Sequence, residues 1–348
     1  MYIYVCIFVF LLSLSIMDLY SRRYAFYILL FVSFLMILFI GLRGYTGADS
    51  YNYISFFKES TTTVWECKSL EKGYAEYGFY YLSVILKSIW NNPNFYFIAI
   101  SFLTFTFLLK AIKIFAIYPL LGFCVYYARF LMFRDMNQIR AALAIVIVIY
   151  ALSFLVKQEN RKYFWWVLFA TTLHYSASLA FIFGLVYTMK LTTPKVGLVL
   201  MFSAFIGVMG ELILKPILIS AGFSIFLTYI NTTNLGLVNP VILFQVVFCF
   251  LFFYFEDLLK ERQYGYYVLR NAYLFSTVIL LVTANLGEIG GRLATLFATC
   301  EIFIIPALIS TIRPRILSYG IIIVIISLIF YLNYSKMLLL PDVWEYNL

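Results

Sequence analysis

The chain has 348 residues, of which 64% are hydrophobic, 21% aromatic and only 12% charged, where a soluble domain carries about 25% charged residues. With a mean hydropathy of +0.95, this composition excludes a soluble globular enzyme and points to an all-α polytopic integral membrane protein, because long apolar runs cross lipid only as helices. The net charge of +9 would suggest a nucleic-acid partner in a soluble chain; here most Lys and Arg lie in short loops and report topology, so none is expected.

Met1–Met17 lacks the basic leader and small-residue cleavage site of a secretory signal and reads as the first span. Tyr24–Leu42 is the second, and Arg22 and Arg23 in the joining "DLYSRR" put that turn in the cytoplasm. The chain therefore emerges on the outer side at Arg43, where an outer loop is expected over about 43–93. Within it, Tyr77–Trp90 is too short to span comfortably and ends at the turn signal "NNPN", so it reads as an interfacial or re-entrant helix. Phe95–Lys113 runs inward, Leu120–Phe133 outward, and Ala141–Val156 inward to "KQENRK".

Tyr163–Met189 lies between two cytoplasmic markers, Lys157–Lys162 and Lys190–Lys195, and must cross an even number of times. As one helix it would be about 40 Å long at 1.5 Å per residue. A reversal near "TLHYSAS" divides it into two short arms meeting at His174, and irregular backbone at that depth implies a cavity in the outer leaflet. From Val196 to about Leu218 the chain exits, and Ser220–Pro240 forms a second outer loop. Val241–Phe255 enters, Tyr267–Leu286 exits, Leu293–Thr311 enters and Ile316–Tyr334 exits. The expectation is a single transmembrane domain over 1–348 with about twelve crossings, some of them short or re-entrant, and an outer-facing cavity. Cys6, Cys124, Cys249 and Cys300 sit in apolar runs and Cys67 in a polar loop; without paired spacing they support neither a disulfide framework nor a zinc site.

Four polar clusters then share the outer face: "RGYTGADSYNY", "RDMNQIR", "TLHYSAS" and "GEIGGR". Ionisable residues at the edge of hydrocarbon are costly and usually functional. Arg43, Arg134, Arg140 and Arg292 depart from the positive-inside trend, and guanidinium suits phosphate and diphosphate better than ammonium does. A snorkelling anchor or a local pair, Arg134 with Asp135 for example, is the competing account. Asp49 is placed to orient or deprotonate a sugar hydroxyl, or to cap a helix starting at Ser50. Tyr51 and Tyr53 offer rings for stacking on sugars, although 30 tyrosines also suit an aromatic belt. His174 is the only histidine; its ordinary titration range allows base catalysis or phosphate binding, and a structural role is the alternative. One histidine at these spacings allows no metal triad, and the absence of a G-x-x-x-x-G-K-[ST] loop argues against a nucleotide-driven pump.

"GLRGYTGADSYNYISFF" resembles the R…G-x-D…Y signature of the EpsG-like polysaccharide polymerases. "NQIRAALAIVIVIYALSFLVKQENRKYFWWVLFATTLHYSASLAFI" is similar to that family's central segment, with its Asn-Gln-x-Arg and later His-x-Ser, and "GGRLATLFATCEIFIIPALI" resembles its late arginine before a helix ending in Ile-Pro. Order and spacing match across most of the chain; "GADSY" replaces the "GTDY" of many relatives and leaves Asp49 in place. The resemblance implies a Wzy-type glycosyltransferase joining O-antigen or capsule repeats carried on undecaprenyl diphosphate, without cofactor or nucleotide sugar. It implies a multi-pass protein of a bacterial inner membrane with its active site facing the periplasm, and a chain-length regulator as a candidate partner. The motif positions carried over are Arg43, Asp49, Tyr53, Arg140, His174 and Arg292.

On this reading Arg140 and Arg292, with Arg43 in support, bind the diphosphate, Arg134 and Tyr53 are further substrate-binding candidates, and Asp49 or His174 handles the acceptor hydroxyl. The rivals are a flippase for the same lipid, an O-antigen ligase, and a mannosyl-type transferase with one acid in its first outer loop. No internal repeat of the kind transporters show stands out.

Overall fold

The long apolar runs fold as helices because a single segment in lipid has no other way to satisfy its backbone. The computed structural model describes residues 1–63, 75–210, 236–286 and 288–346, with Leu212, Pro216 and Ser220, and among these the regular elements are all helical. Residues 64–74 of the first expected outer loop and most of the second, 220–240, lie outside the described residues.

In chain order the helices are α1 (Tyr2–Ser15), α2 (Arg22–Gly41), α3 (Ser50–Glu59), α4 (Tyr77–Ile89), α5 (Pro93–Phe115), α6 (Pro119–Tyr126) and α7 (Met132–Arg134). There follow α8 (Ile139–Val156), α9 (Asn160–Leu173), α10 (Leu179–Val186), α11 (Thr193–Val208), α12 (Pro240–Tyr254), α13 (Glu256–Leu259) and α14 (Tyr266–Val282). The last are α15 (Glu288–Ala298), α16 (Glu301–Ala307), α17 (Arg315–Leu338) and α18 (Pro341–Trp344). A π-helical turn, Tyr127–Leu131, joins α6 to α7.

Among the described residues five helices are long and apolar enough to cross a membrane: Tyr2–Leu19, α2, α5, α8 and α17. The pair α15–α16, bent by 56°, makes a sixth. Tyr175–Val186, α11, α12 and α14 are apolar but shorter. By length and composition the described helices thus support five or six crossings where hydropathy counts about twelve.

Helix α8 is the central pillar. It is 72% buried, against 28% for Tyr2–Leu19, and packs on α5, α9, α14 and α15; a helix apolar on every side belongs in the middle of a bundle. The break expected at "TLHYSAS" is present: α9 stops at Leu173, His174 is extended at φ −157° and ψ 122°, and a 3-10 turn, Tyr175–Ser178, leads into α10. Elsewhere the buried Asp18 accepts the N–H groups of Leu120 and Leu121 at 3.3 and 2.7 Å, setting a carboxyl group on the positive end of α6.

The tail after α17 folds back against the loop that follows α2. Gly47 donates its N–H to the Val343 carbonyl at 2.8 Å, the Thr46 hydroxyl donates to the Glu345 carbonyl at 2.9 Å, and Tyr346 donates to the Phe39 carbonyl at 2.6 Å.

Candidate active site

The "RGYTGAD" loop is shaped by what it presses against. Gly47 has φ +101°, which favours glycine, and a Cβ there would stand 2.1 Å from the Met136 carbonyl oxygen. Glycine therefore lets this loop lie directly on the "RDMNQIR" turn. The contact is fixed by the Asp49 N–H donating to Asn137 Oδ1 at 2.8 Å. Helix α3 begins at Ser50 with Asp49 at its capping position, yet the Asp49 side chain makes no capping bond. Its carboxyl turns into a cleft instead.

That cleft is lined by Asp49, Tyr53, Arg140, His174 and Arg292, with Gln138, Ala141 and Thr295 between them. The five residues come from four separate regions of the chain. The cleft holds about 60 Å³, room for about two water molecules, so it encloses a reacting group rather than a whole sugar. Burial raises the proton affinity of Asp49, while Arg292 and Arg140 oppose that rise. Tyr53 is buried and accepts a hydrogen bond from Arg140 Nε at 3.4 Å; it offers the site a hydroxyl rather than a ring face for stacking.

Arg43 and Arg134, expected at the substrate, lie beneath the cleft and do not line it. Arg43 is 0% exposed; it donates from Nε to Ser50 Oγ at 3.3 Å and from Nη1 to the carbonyls of Ile40 and Asp135 at 3.1 and 3.2 Å. Its guanidinium sits 4.0 Å from the centre of the Phe97 ring, a desolvated cation–π contact of about 2 kcal/mol. Arg134 donates from Nη1 to Thr299 Oγ1 at 2.6 Å and from Nη2 to the Thr295 carbonyl at 2.7 Å. It thereby grips α15, the helix that carries Arg292, just before the 56° bend. Past the bend the buried Glu301 pairs with Arg129 Nε at 3.2 Å and accepts from the Tyr273 hydroxyl at 3.0 Å. An arginine inserted beside a helix ladder is a recognised cause of such a bend. Burial keeps both guanidiniums out of the cleft lining, and burial depends on segments far away in sequence.

Sequence reasoning missed Glu76. It stands at the capping position of α4, is 4% exposed, and pairs with Arg140 Nη1 through Oε2. Its Oε1 accepts from His174 Nδ1 at 2.8 Å and from the Tyr175 N–H at 3.2 Å. Although burial favours protonation, the His174 hydrogen bond and the Arg140 charge hold its carboxyl at about 2. The close approach of α4 and α9 makes this possible: a Cβ at Gly78 would meet Thr172 Oγ1 at 2.3 Å and the Thr172 carbonyl at 2.7 Å. A visible signal was an acid immediately before an apolar amphipathic helix. Among the described residues no group of three His, Cys, Asp or Glu side chains is placed to hold a metal ion.

Fold and cleft together define a helical membrane protein with a small polar site where several helices end. A family model, the EpsG family, matches residues 24–348, and the chain belongs to that family. It is also similar to the amylovoran biosynthesis protein AmsC of Erwinia amylovora, 24% identical over 337 residues, covering 92% of this chain and 88% of that protein. No solved structure gives a significant match.

Proposed function

We propose that this protein is a membrane glycosyltransferase that polymerises undecaprenyl-diphosphate-linked oligosaccharide repeats of an O-antigen or capsule, with its cleft facing the periplasm of a bacterial inner membrane. The observation that supports this reading best is the meeting of Arg140 and Arg292, from helices far apart in sequence, in one cleft with Asp49 and His174. The family match and the similarity to an amylovoran biosynthesis protein point the same way.

The donor is one lipid-linked chain, and its C1 is the electrophile. A hydroxyl of a second lipid-linked unit attacks C1 while the bond from C1 to the diphosphate oxygen breaks. The electron pair leaves on the diphosphate, and the hydroxyl proton passes to Asp49 or His174. Negative charge grows on the leaving group, so preorganised guanidiniums facing it lower the barrier. Arg140 and Arg292 fill that role. Arg43 and Arg134 support it from below, by holding the Asp49 loop and α15 in place. The scheme needs no cofactor. One phosphate group of the head enters the cleft, and the rest of the diphosphate, the sugars and the lipid extend beyond its small volume.

The test is turnover of a defined lipid-diphosphate-linked repeat by the reconstituted protein, read as product length by gel or mass spectrometry. R140A and R292A are expected to lose elongation with the lipid-linked substrate still recovered intact. In cells, loss of the chain is expected to leave one repeat per lipid at the surface. Complete absence of surface glycan would instead indicate transport and overturn the proposal.

A further inference from the structure

We propose that Glu76 is a positioning residue that fixes the tautomer of His174, so that Nε2 of His174, rather than the Asp49 carboxylate, receives the acceptor proton. The inference rests on the polymerase reading for its catalytic part, but its geometric part stands alone.

The argument begins with hydrogen-bond roles. An ionised carboxylate only accepts. Glu76 Oε1 already accepts from the Tyr175 backbone N–H, which only donates, and Oε2 faces an arginine, which only donates. The contact of 2.8 Å between His174 Nδ1 and Oε1 therefore carries its proton on Nδ1. In a neutral imidazole the lone pair then lies on Nε2. The ring is partly exposed, at 28% for the side chain, and lines the cleft with Arg140 and Arg292. Nε2 is thus the basic atom presented where the acceptor hydroxyl arrives. As the O–C1 bond forms and the diphosphate departs, Nε2 takes the hydroxyl proton, and the resulting imidazolium keeps Glu76 as its counter-ion.

Asp49 is placed differently. The groups facing it across the cleft are Arg292 and Arg140, so its charge serves those guanidiniums. One carboxylate, Glu76, therefore orients both halves of the chemistry: the base on one oxygen and an arginine of the leaving-group site on the other. The helix break at His174 is what brings ring and Tyr175 N–H together on Oε1.

His174 is the only histidine in the chain, so protein labelled with [15N]histidine gives one pair of ring-nitrogen signals that reports the tautomer without any assay of activity. The wild-type protein in detergent is expected to show the Nδ1-protonated form. In E76Q the amide carbonyl stays with the Arg140 donor and its NH2 faces Nδ1, so the proton is expected to move to Nε2. An Nε2-protonated wild type, or the same tautomer in both proteins, would overturn the proposal. Wild type alone suffices should E76Q fail to fold. In the elongation assay, E76Q and H174Q are each expected to lower kcat on the order of 10²–10⁴-fold with smaller changes in KM. The double variant should be little worse than the poorer single one, as for residues that act as a unit. Full additivity of the two losses would sink the coupling. Should H174Q, R140A and R292A all turn over normally, the polymerase reading falls while the tautomer result still stands or fails on its own.

Discussion

The two ends of α8 carry charge in different ways. At the Arg140 end, a cleft of about 60 Å³ gathers ionisable groups from segments separated by up to hundreds of residues, and the Glu76–Arg140 pair is largely sheltered from solvent. At the Val156 end, a cavity of about 1290 Å³ is lined by Lys190, Glu256, Lys260 and Arg270 among others. There the ion pairs are local: Lys162–Glu159 and Lys260–Asp257 are three residues apart, and Asp257 is 92% exposed. Arg270–Glu256 joins neighbouring helices across a short turn. The larger hollow is the less specialised one. Convergence of remote, sheltered charge, not volume, is the ground for proposing the smaller cleft as the site.

The sharpest way to break this comparison is to remove the converging guanidiniums. R140A and R292A are each expected to cost on the order of 10²–10³ in kcat, whereas K190A and K260A, at the opposite end, should leave elongation unchanged. Equal losses at both ends would erase the distinction. Next in size is R134A, which strips one bond from α15 and one from the bend that follows it. Leaving Thr299 and the Thr295 carbonyl without this donor should lower stability by about 1–3 kcal/mol, seen as a drop in detergent melting temperature together with weaker elongation. G47A should also cost about 1–3 kcal/mol through its positive φ, and it should displace Asp49 through the clash with Met136.

A smaller effect is a pH dependence. Glu76 is depressed from 4.5 to about 2, so its pairing stabilises the folded state above the unfolded value and loses that contribution as pH falls from about 4.5 toward about 2. The melting-temperature gap between wild type and E76Q should hold from pH 7 to about 4.5 and then narrow; a gap that grows in acid contradicts the assignment. Smallest of all, K162A and K260A remove exposed i,i+3 pairs and should leave the detergent melting temperature unchanged.

Much of this was legible before any coordinates. Hydropathy located the long helices, and parity of the basic loops found the reversal at His174. The departure of Arg140 and Arg292 from the charge bias of the loops picked out two arginines that the cleft brings together. What stayed hidden depended on tertiary neighbours. Nothing in "LRGYTG" says that Arg43 will be enclosed by Phe97, Ser50 and the Asp135 carbonyl, and nothing near Arg134 names Thr299. Glu76 is one of several acids in its stretch of sequence, with Asp49, Glu59, Glu66 and Glu71, and only the approach of α9 singles it out. Helix length was a smaller blind spot: the apolar window expected over Tyr267–Leu286 runs past Val282, where α14 stops.

The folded-back tail has a practical meaning. Residues Val343, Glu345 and Tyr346 are not among those that line the cleft, yet they bolt the loop that ends in Asp49 to the body of the bundle. Trimming the chain beyond Leu340, or forcing a bulky fusion against that strap, should loosen the floor of the cleft from behind and silence the protein without altering a single residue that substrate would meet.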